Sequence, residues 1–300
     1  MALKDIKNKI KATERMNKVT RAMEAVSAVK MRKTQATALS GRSYARAAIS
    51  ILARLSGTEH VAKHPLSEQR EYKRVALVVM TSDKGLAGAL NSSVLKRAVE
   101  SVKEFSKEQV SVYAYGKKAD DFFTSRGYTV AARYENKSDS IEIETMEELA
   151  GELSRAFVAH DYDKVTVVYS NFKSTFEQVA TERRLLPLSM GALTEIVDGI
   201  IPVKGKWSEV KEVAAPATYS VEPSGEEVLS ALIPRLVAVA LYHMLLESKA
   251  SEHSARMVAM KNASDKSKDV VRDLTRTYNK VRQAAITREV SEIISGSLAT

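Results

Sequence analysis

The chain has no cysteine, and this absence limits its chemistry. It excludes disulfides, thiolate metal sites, a cysteine nucleophile and thiol-based regulation, and it suits a reducing compartment. The longest apolar run, at 236–246, is too short to cross a bilayer. The first residues, MALKDIKNKIKATER, carry charges where a signal peptide would need an unbroken apolar stretch. We therefore expect neither export by a signal peptide nor insertion into a membrane.

Proline and glycine are scarce at both ends of the chain. Residues 3–55 contain one glycine and no proline, and neither residue occurs between Pro234 and Gly296. Without these helix breakers, the two segments can form helices roughly 80 and 90 Å long at 1.5 Å per residue. Pro234 should start or kink the second helix.

Both end segments carry apolar residues at intervals of three or four. Such spacing predicts amphipathic helices, and in the second segment it is typical of a coiled coil. Alanine, serine, threonine and methionine fill many positions between the larger side chains. Because the middle of the chain can return it to its starting side, we expect the two helices to pair antiparallel. The stripe in the first helix is Leu3, Ile6, Ile10, Met16, Val19, Met23 and Val26, and the second includes Met257, Met260, Val271, Leu274, Tyr278, Val281 and Ala285.

The middle of the chain alternates short apolar runs with helical patterns, which predicts a mostly parallel α/β sheet with right-handed crossovers. The segment after Phe176 has the pattern of an antiparallel edge strand. We predict an N-terminal helix at 1–57, an α/β domain at 73–222 and a C-terminal helix at 223–300; residues 187–222 have no assigned structure. The predicted strands are 74–80, 110–116 and 164–172, and the predicted helices are 91–105, 117–127 and 145–160.

The net charge of +9 lies entirely in the first 46 residues, which hold twelve Lys or Arg and three acidic residues. The rest of the chain carries 34 charges of each sign. A local excess of this kind indicates an acidic partner for the first helix. Nucleic acid is one such partner, although few aromatic residues accompany the basic ones, which argues against stacking on single strands.

The segment SDKGLAG follows a predicted strand and invites comparison with a phosphate-binding loop. It lacks the G-x-G-x-x-G and G-x-x-x-x-G-K-[ST] patterns, so we interpret Gly85 and Gly88 as turn and close-packing residues. His60 and His64 are four residues apart but lack the carboxylates that would favour a metal site. No catalytic residue, cofactor or metal site is predicted.

Four stretches together resemble the gamma subunit of F-type ATP synthase, the central rotor shaft. They are NKVTRAMEAVSAVKMRK at 17–33, MTSDKGLAGALN at 80–91, SEHSARMVAMKNAS at 251–264 and YNKVRQAAITREVSEIISG at 278–296. The match includes both ends of the chain and the start of its middle domain, in the right order. Alanine stands at position 87 where the family often has cysteine, and lysine at position 84 where it often has arginine.

The resemblance implies a fold and a set of partners. The middle domain would be Rossmann-like and would form a foot on the membrane ring of c subunits, bound by the epsilon subunit. The paired helices would pass through the alternating alpha/beta hexamer, with one copy per complex. Rotation would couple proton or sodium ion flow to ATP synthesis or hydrolysis on beta, at the cytoplasmic face of the inner membrane. The gamma subunit itself would be non-catalytic and would need no cofactor.

The resemblance also implies contact residues. Lys18 and Met23 match the family's Lys-x-Thr-x-Ala-Met pattern, and Arg282 and Gln283 match an Arg-Gln pair that engages a loop of beta. The expected contacts with the alpha/beta ring are Lys18, Met23, Lys30, Arg282 and Gln283, and the loop at the neck of the foot contains Lys84, Gly85, Ala87 and Gly88.

Two other hypotheses remain. The basic first helix permits a nucleic-acid-binding coiled coil, which would be retained on DNA with a steep salt dependence. The α/β middle permits a Rossmann enzyme with helical arms, which would bind a dinucleotide. The four ordered motifs fit the rotor subunit and neither alternative.

Overall fold

The computed structural model describes residues 3–40, 64–137, 141, 143–189 and 225–298. The part of the predicted first helix after residue 40 lies outside these residues, as does most of the segment 187–222. The ends of the predicted domains, at 57 and 222, also lie outside, so the division into 1–57, 73–222 and 223–300 stays a prediction.

A five-stranded sheet forms the centre of the α/β region. Its strands are β1 (Val75–Met80), β2 (Val110–Tyr115), β3 (Thr129–Tyr134), β4 (Lys164–Phe172) and β5 (Gln178–Leu186). The strand order is β3-β2-β1-β4-β5. The first four strands run parallel, with Val75 opposite both Val110 and Lys164, and β5 pairs antiparallel with β4. This order, with its reversal between β1 and β4, is that of a Rossmann-like sheet.

Short helices follow the first three strands. They are α2 (Leu90–Ser101), α3 (Lys117–Ser125) and α4 (Ile143–Val158), while α1 (Leu3–Ser40) and α5 (Gly225–Leu298) are the two long helices. Helices α2 and α3 cover one face of the sheet, where Val94 and Phe123 are buried against Leu77 and Val112. Helix α4 covers the other face through Leu149, Leu153 and Phe157.

The first part of α5 belongs to the same core as α4. Residues Ile233, Val237, Leu241 and Leu245 are buried at helical spacing in the cluster that contains β1 and β4. The stretch Ser230–Ile294 includes an 18-residue window apolar enough to cross a membrane, but 61% of that window is buried inside the protein. Its apolar character is therefore accounted for by packing in the core.

The chain divides into two compact units. One consists of the residues up to 28 together with those from 256 onward, and the other consists of residues 29–255. In the first unit, α1 and α5 pair as an antiparallel coiled coil, and the second unit is the α/β region. The expected combination of a coiled coil and a mostly parallel Rossmann-like domain is confirmed.

Several details differ from the sequence prediction. Strand β3 was not predicted, because it is a short edge strand whose inward side chains are only half-buried. Helix α2 ends at Ser101 instead of 105. Pro234 does not start α5, because the helix begins at Gly225 and continues through it. Helix α5 also passes Gly296, since a single glycine weakens a helix but need not end it.

Candidate rotor surface and sheet-edge site

The contact between the two helices of the coiled coil is largely polar. Buried or half-buried residues of α1 recur at alternating intervals of three and four: Leu3, Ile6, Ile10, Thr13, Asn17, Thr20, Glu24 and Ser27. On α5, the corresponding seam is Met260, Ser264, Ser267, Val271, Leu274 and Tyr278. Both series have coiled-coil spacing, but the α1 series is apolar only at Leu3, Ile6 and Ile10, and the α5 series has serines at 264 and 267. The centre of the seam therefore depends on small side chains and hydrogen bonds.

One hydrogen-bonded pair fixes how the two helices align. The Nδ2 amide of Asn17 donates to the carbonyl oxygen of Ser264 at 2.6 Å and to its hydroxyl at 3.0 Å. A polar group at one seam position costs stability but specifies register, because any shift leaves it without its partner. With Asn17 opposite Ser264 in an antiparallel pair, Leu3 lies at the level of Tyr278.

The stripe predicted to face the partner helix points outward from Met16 onward, so that part of the prediction is wrong. Met16, Val19 and Val26 are 59%, 58% and 53% exposed, and Met23 is half-buried. The seam instead contains the polar residues beside them. Both faces of α1 carry residues at intervals of three and four, and small side chains on the polar face allow α5 to approach closely. The result is an exposed apolar stripe, defined as Met16, Val19, Met23 and Val26.

The predicted contact residues lie at different levels along the helices. Lys18 is exposed and Lys30 is half-buried on α1, while Arg282 and Gln283 are exposed on α5. By the Asn17–Ser264 alignment, Lys18 lies beside residue 263, which places Arg282 roughly 28 Å farther along the axis. The structure therefore does not bring Lys18 and Arg282 into one site.

Beyond the level of Leu3, α5 carries several exposed apolar side chains. Ile286, Val290, Ile293 and Ile294 are each about half or more exposed. Exposed branched side chains at successive turns are unusual on a monomer surface and indicate contact with another molecule.

The loop after β1 contains the predicted neck residues. Lys84, Gly85 and Gly88 are exposed, whereas Ala87 is buried. Gly88 has φ +58°, so its role as a turn residue is confirmed. Neither glycine is a close-packing residue, because a Cβ atom on either would meet nothing within 4 Å. The prediction of close packing at these two positions is therefore wrong.

The same loop uses its polar groups internally. Asn91, in the first turn of α2, accepts a hydrogen bond from the Ser82 N–H at 3.1 Å, and its Nδ2 donates to Ser82 Oγ at 2.8 Å. The Ser82 hydroxyl donates in turn to the carbonyl of Lys84 at 2.6 Å. In dinucleotide-binding folds, the groups at this position bind a pyrophosphate. Here the Ser82 amide and hydroxyl are already engaged.

Helix α5 lies against the carboxyl edge of the sheet, where Rossmann folds bind ligands. The Lys249 ammonium donates to the carbonyl oxygen of Asn136 at 2.8 Å. Ser251 Oγ donates to the carbonyl of Ser170 at 2.9 Å, and Ser254 Oγ donates to that of Thr175 at 2.7 Å. The chain's own helix thus makes polar contacts at the edge where a nucleotide would bind.

Sequence analysis did not identify Lys249, Ser251 or Ser254 as site residues. The signal available was the serine spacing in SKASEHS, where Ser248, Ser251 and Ser254 are three apart on a helix. Serines at such spacing lie near one face and allow close approach to a neighbouring backbone. Their acceptors lie in strand β4 and in the hairpin after it, and only the fold brings those acceptors to the helix.

Several tyrosines near the sheet remain neutral over an unusually wide pH range. Burial, with contributions from Asp83 and Tyr134, raises the pKa of Tyr115 to about 12. Burial and the hydroxyl of Tyr162 raise the pKa of Tyr113, and burial together with Glu247 raises that of Tyr169. All three therefore serve as neutral groups at physiological pH, and none is poised as a general acid or base.

Within the described part of the chain, no group of three or more His, Asp or Glu side chains is arranged to hold a metal ion. His60 lies outside the described residues. The Nδ1 atom of His64 accepts a hydrogen bond from the Leu66 N–H, and burial lowers the pKa of its side chain. This histidine caps a short turn at 65–67.

Comparison with known proteins gives consistent results. Residues 2–300 match the sequence model of a family described as ATP synthase. The chain is similar to the ATP synthase gamma chain of Pelotomaculum thermopropionicum, with 39% identity over 99% of both chains. It is also similar to that of Roseiflexus castenholzii, with 40% identity over 99% of this chain and 97% of the relative.

Solved structures show the same similarity. A chain in the central stalk and c-ring structure of the Tetrahymena thermophila mitochondrial ATP synthase superposes with a TM-score of 0.60 at 26% identity, over 82% of this chain and 99% of that chain. A chain of the Euglena gracilis mitochondrial ATP synthase superposes with a TM-score of 0.65 at 16% identity, over 99% and 94% of the two chains. At that identity the second match concerns the fold alone.

Proposed function

Because the chain belongs to the ATP synthase gamma-chain family, we propose that it is the central rotor shaft of the complex and performs no catalysis itself. The coiled coil would turn inside a hexamer of alpha and beta subunits, with one copy per complex. The α/β region would contact the membrane c-ring and the epsilon subunit. The protein would be peripheral, at the cytoplasmic face of the inner membrane, and its rotation would link ion flow to ATP synthesis or hydrolysis on beta.

The main observation that supports this proposal is that the apolar stripe on α1 is exposed and faces away from α5. Met16, Val19 and Val26 are more than half exposed, while the polar residues on the adjacent face of the same helix form the seam. Exposed apolar residues at successive turns favour a protein partner. Met and Val side chains also make non-directional contacts, which permit the stripe to face several surfaces in turn.

The charge distribution supports the same role. Lys4, Lys7, Lys11, Arg15 and Lys18 are all exposed on α1. Their attraction to acidic groups of a surrounding ring would act over about 10 Å and would impose no fixed geometry. Lys18, Met23, Lys30, Arg282 and Gln283 are the proposed ring contacts, and Lys84, Gly85, Ala87 and Gly88 form the proposed neck loop.

The sheet edge supports a role without nucleotide chemistry. Ser82 is engaged by Asn91, and α5 residues bind the backbone at the end of β4. A dinucleotide titration with no detectable binding is the expected result. A DNA-binding coiled coil would leave the apolar stripe without a function.

Observation of rotation tests the proposal. The chain is co-expressed with the alpha and beta subunits of the same organism, and a bead is attached to Lys96→Cys on α2. The added thiol is the only one in this chain, because its sequence has no cysteine. With ATP, the bead should turn in steps of about 120°, as three equivalent catalytic sites require. ATP hydrolysis by the complex without rotation of the bead would overturn the rotor proposal.

A further inference from the structure

One of the polar contacts that α5 makes near the carboxyl edge of the sheet comes from a buried lysine. Lys249 is 3% exposed, and its ammonium donates to the Asn136 carbonyl at 2.8 Å. Removing a cation from water is costly, so a lysine retained at such a position must make polar interactions that compensate for the lost water. The interaction also gains strength from its low-dielectric surroundings.

The acceptor of this hydrogen bond is itself held from two sides. The Asn136 side-chain amide donates to the carbonyl of Thr81 at 2.6 Å, and its backbone N–H donates to Asp83 at 2.9 Å. The other carboxylate oxygen of Asp83 accepts the N–H of Lys117 at 2.7 Å. Lys249 is thereby connected to the segments that follow β1, β2 and β3.

Two serines extend the attachment to the fourth parallel strand. Ser251 Oγ binds the Ser170 carbonyl within β4, and Ser254 Oγ binds the Thr175 carbonyl in the hairpin that follows. Both serines are buried. A span of six residues on α5 is therefore hydrogen-bonded directly to segments at the carboxyl ends of β3 and β4, and it reaches those after β1 and β2 through Asn136 and Asp83.

These bonds differ in kind from the contacts made by the preceding part of the helix. Ile233, Val237, Leu241 and Leu245 pack in the core through apolar side chains, and such contacts resist separation but have no preferred direction. Hydrogen bonds lose strength when the donor turns away from its acceptor. The polar contacts therefore resist rotation of the helix about its own axis, which apolar packing alone resists weakly.

We propose that Lys249, Ser251 and Ser254 form a torsional anchor, which fixes the rotation angle of α5 on the sheet so that torque applied to the α/β region is carried along the helix. The same helix continues without interruption to Leu298. The inference rests on the proposed rotor function and names positioning residues for it. Asn136 and Asp83 complete the anchor by holding the acceptor of Lys249.

The test measures torsional stiffness in the assembled complex. The bead is attached at Lys96→Cys, rotation with ATP is recorded, and the angular variance of the bead is then measured while the complex is stalled. Lys249→Met keeps the length of the side chain but removes its ammonium, and should at least double the angular variance while 120° stepping persists. The matched control is Lys103→Met, an exposed lysine of the same region, which should leave the variance unchanged.

The outcomes separate the anchor from the rotor proposal. If the parent complex does not rotate, the rotor proposal fails. If it rotates and Lys249→Met has the parent's variance, the anchor is overturned and the rotor stands.

A second variant tests the anchor in case Lys249→Met does not fold or assemble. Ser251→Ala combined with Ser254→Ala removes two hydroxyls with little change in volume, and should raise the variance by a smaller factor. An unchanged variance in this double variant, with normal assembly, would also overturn the anchor.

Discussion

At the scale of single residues, Gly116 is the position where the backbone leaves no room for a side chain. It follows β2 with φ +101°, and a Cβ atom there would lie 2.1 Å from the Thr81 carbonyl oxygen. Its N–H donates to the Tyr134 carbonyl, and Thr81 Oγ1 accepts the N–H of Ala119 in the first turn of α3. The glycine thus permits the ends of β1, β2 and β3 to meet.

Gly116→Ala should destabilise the protein by about 3 kcal/mol, because it combines an unfavourable φ with a steric overlap that the backbone must move to relieve. Urea unfolding followed by circular dichroism measures the change. The control is Gly85→Ala, where an added Cβ has open space, and we expect a change of less than about 0.5 kcal/mol there. Equal effects at the two positions would contradict this account.

Tyr115 should contribute to alkaline unfolding. Burial raises its pKa to about 12 in the folded protein, above the ordinary value of 10.0. Its neutral form therefore contributes stability that is fully present below pH 10 and is lost as the pH rises toward 12, by at most about 1.4 kcal/mol per pH unit. Unfolding free energies from pH 9 to 12 should fall less steeply in Tyr115→Phe than in the parent protein. Identical slopes would show that Tyr115 ionises normally.

At the scale of elements, α1 carries two stripes with the same spacing. One stripe packs on α5 and is polar at its centre, and the other is apolar and faces outward. Buried polar residues weaken the pair but define its register, whereas the exposed apolar residues are available to a partner. The pair is therefore less stable than the hydrophobic content of α1 suggests.

Asn17→Ala should weaken the coiled coil by about 1 kcal/mol, because it removes the hydrogen bonds to Ser264. Amide exchange of residues 10–24 reports this local change. Asn8→Ala, at an exposed position of the same helix, corrects for the higher helix propensity of alanine and should slow exchange slightly. Faster exchange in Asn8→Ala than in Asn17→Ala would count against the proposed seam.

At the scale of the whole molecule, positive charge and the helix-breaking residues glycine and proline are distributed unevenly along the chain. The excess of nine positive charges lies in the first 46 residues, and the last helix extends over 74 residues with one internal proline. A long helix with an exposed end suits contacts that change during rotation. Arg282, on that exposed part, presents a planar guanidinium that can pair with a carboxylate at some angles and release it at others.

Arg282→Ala should reduce coupled ATP turnover several-fold while changing the affinity of the subunit for the alpha/beta hexamer less than about twofold. The physical reason is that a contact made in only part of the rotary cycle contributes little to the average binding energy. Turnover and co-purification yield measure the two effects. Lys280→Ala, two residues earlier and on another side of the helix, is the control. Equal losses of turnover and binding in Arg282→Ala would count against a rotary contact.

The sequence by itself determined most of the elements and the family. The scarcity of glycine and proline predicted the two long helices, the apolar runs predicted β1, β2 and β4, and Gly127, with φ +74°, lies just after α3 as expected for a helix-ending glycine. These features depend on neighbours in the chain, so local patterns reveal them. The four ordered motifs indicated the gamma family for the same reason.

Only the tertiary structure decided which side chains face which partner. Met16 and Asn17 lie on two stripes of equal spacing on α1. Which of the two stripes packs against α5 depends on how closely α5 can approach. The segment 129–134 becomes a strand by pairing with β2. Asn136 connects α5 to the sheet only because the fold brings Lys249 to its carbonyl oxygen. These outcomes depend on residues up to 247 positions apart, which no local pattern contains.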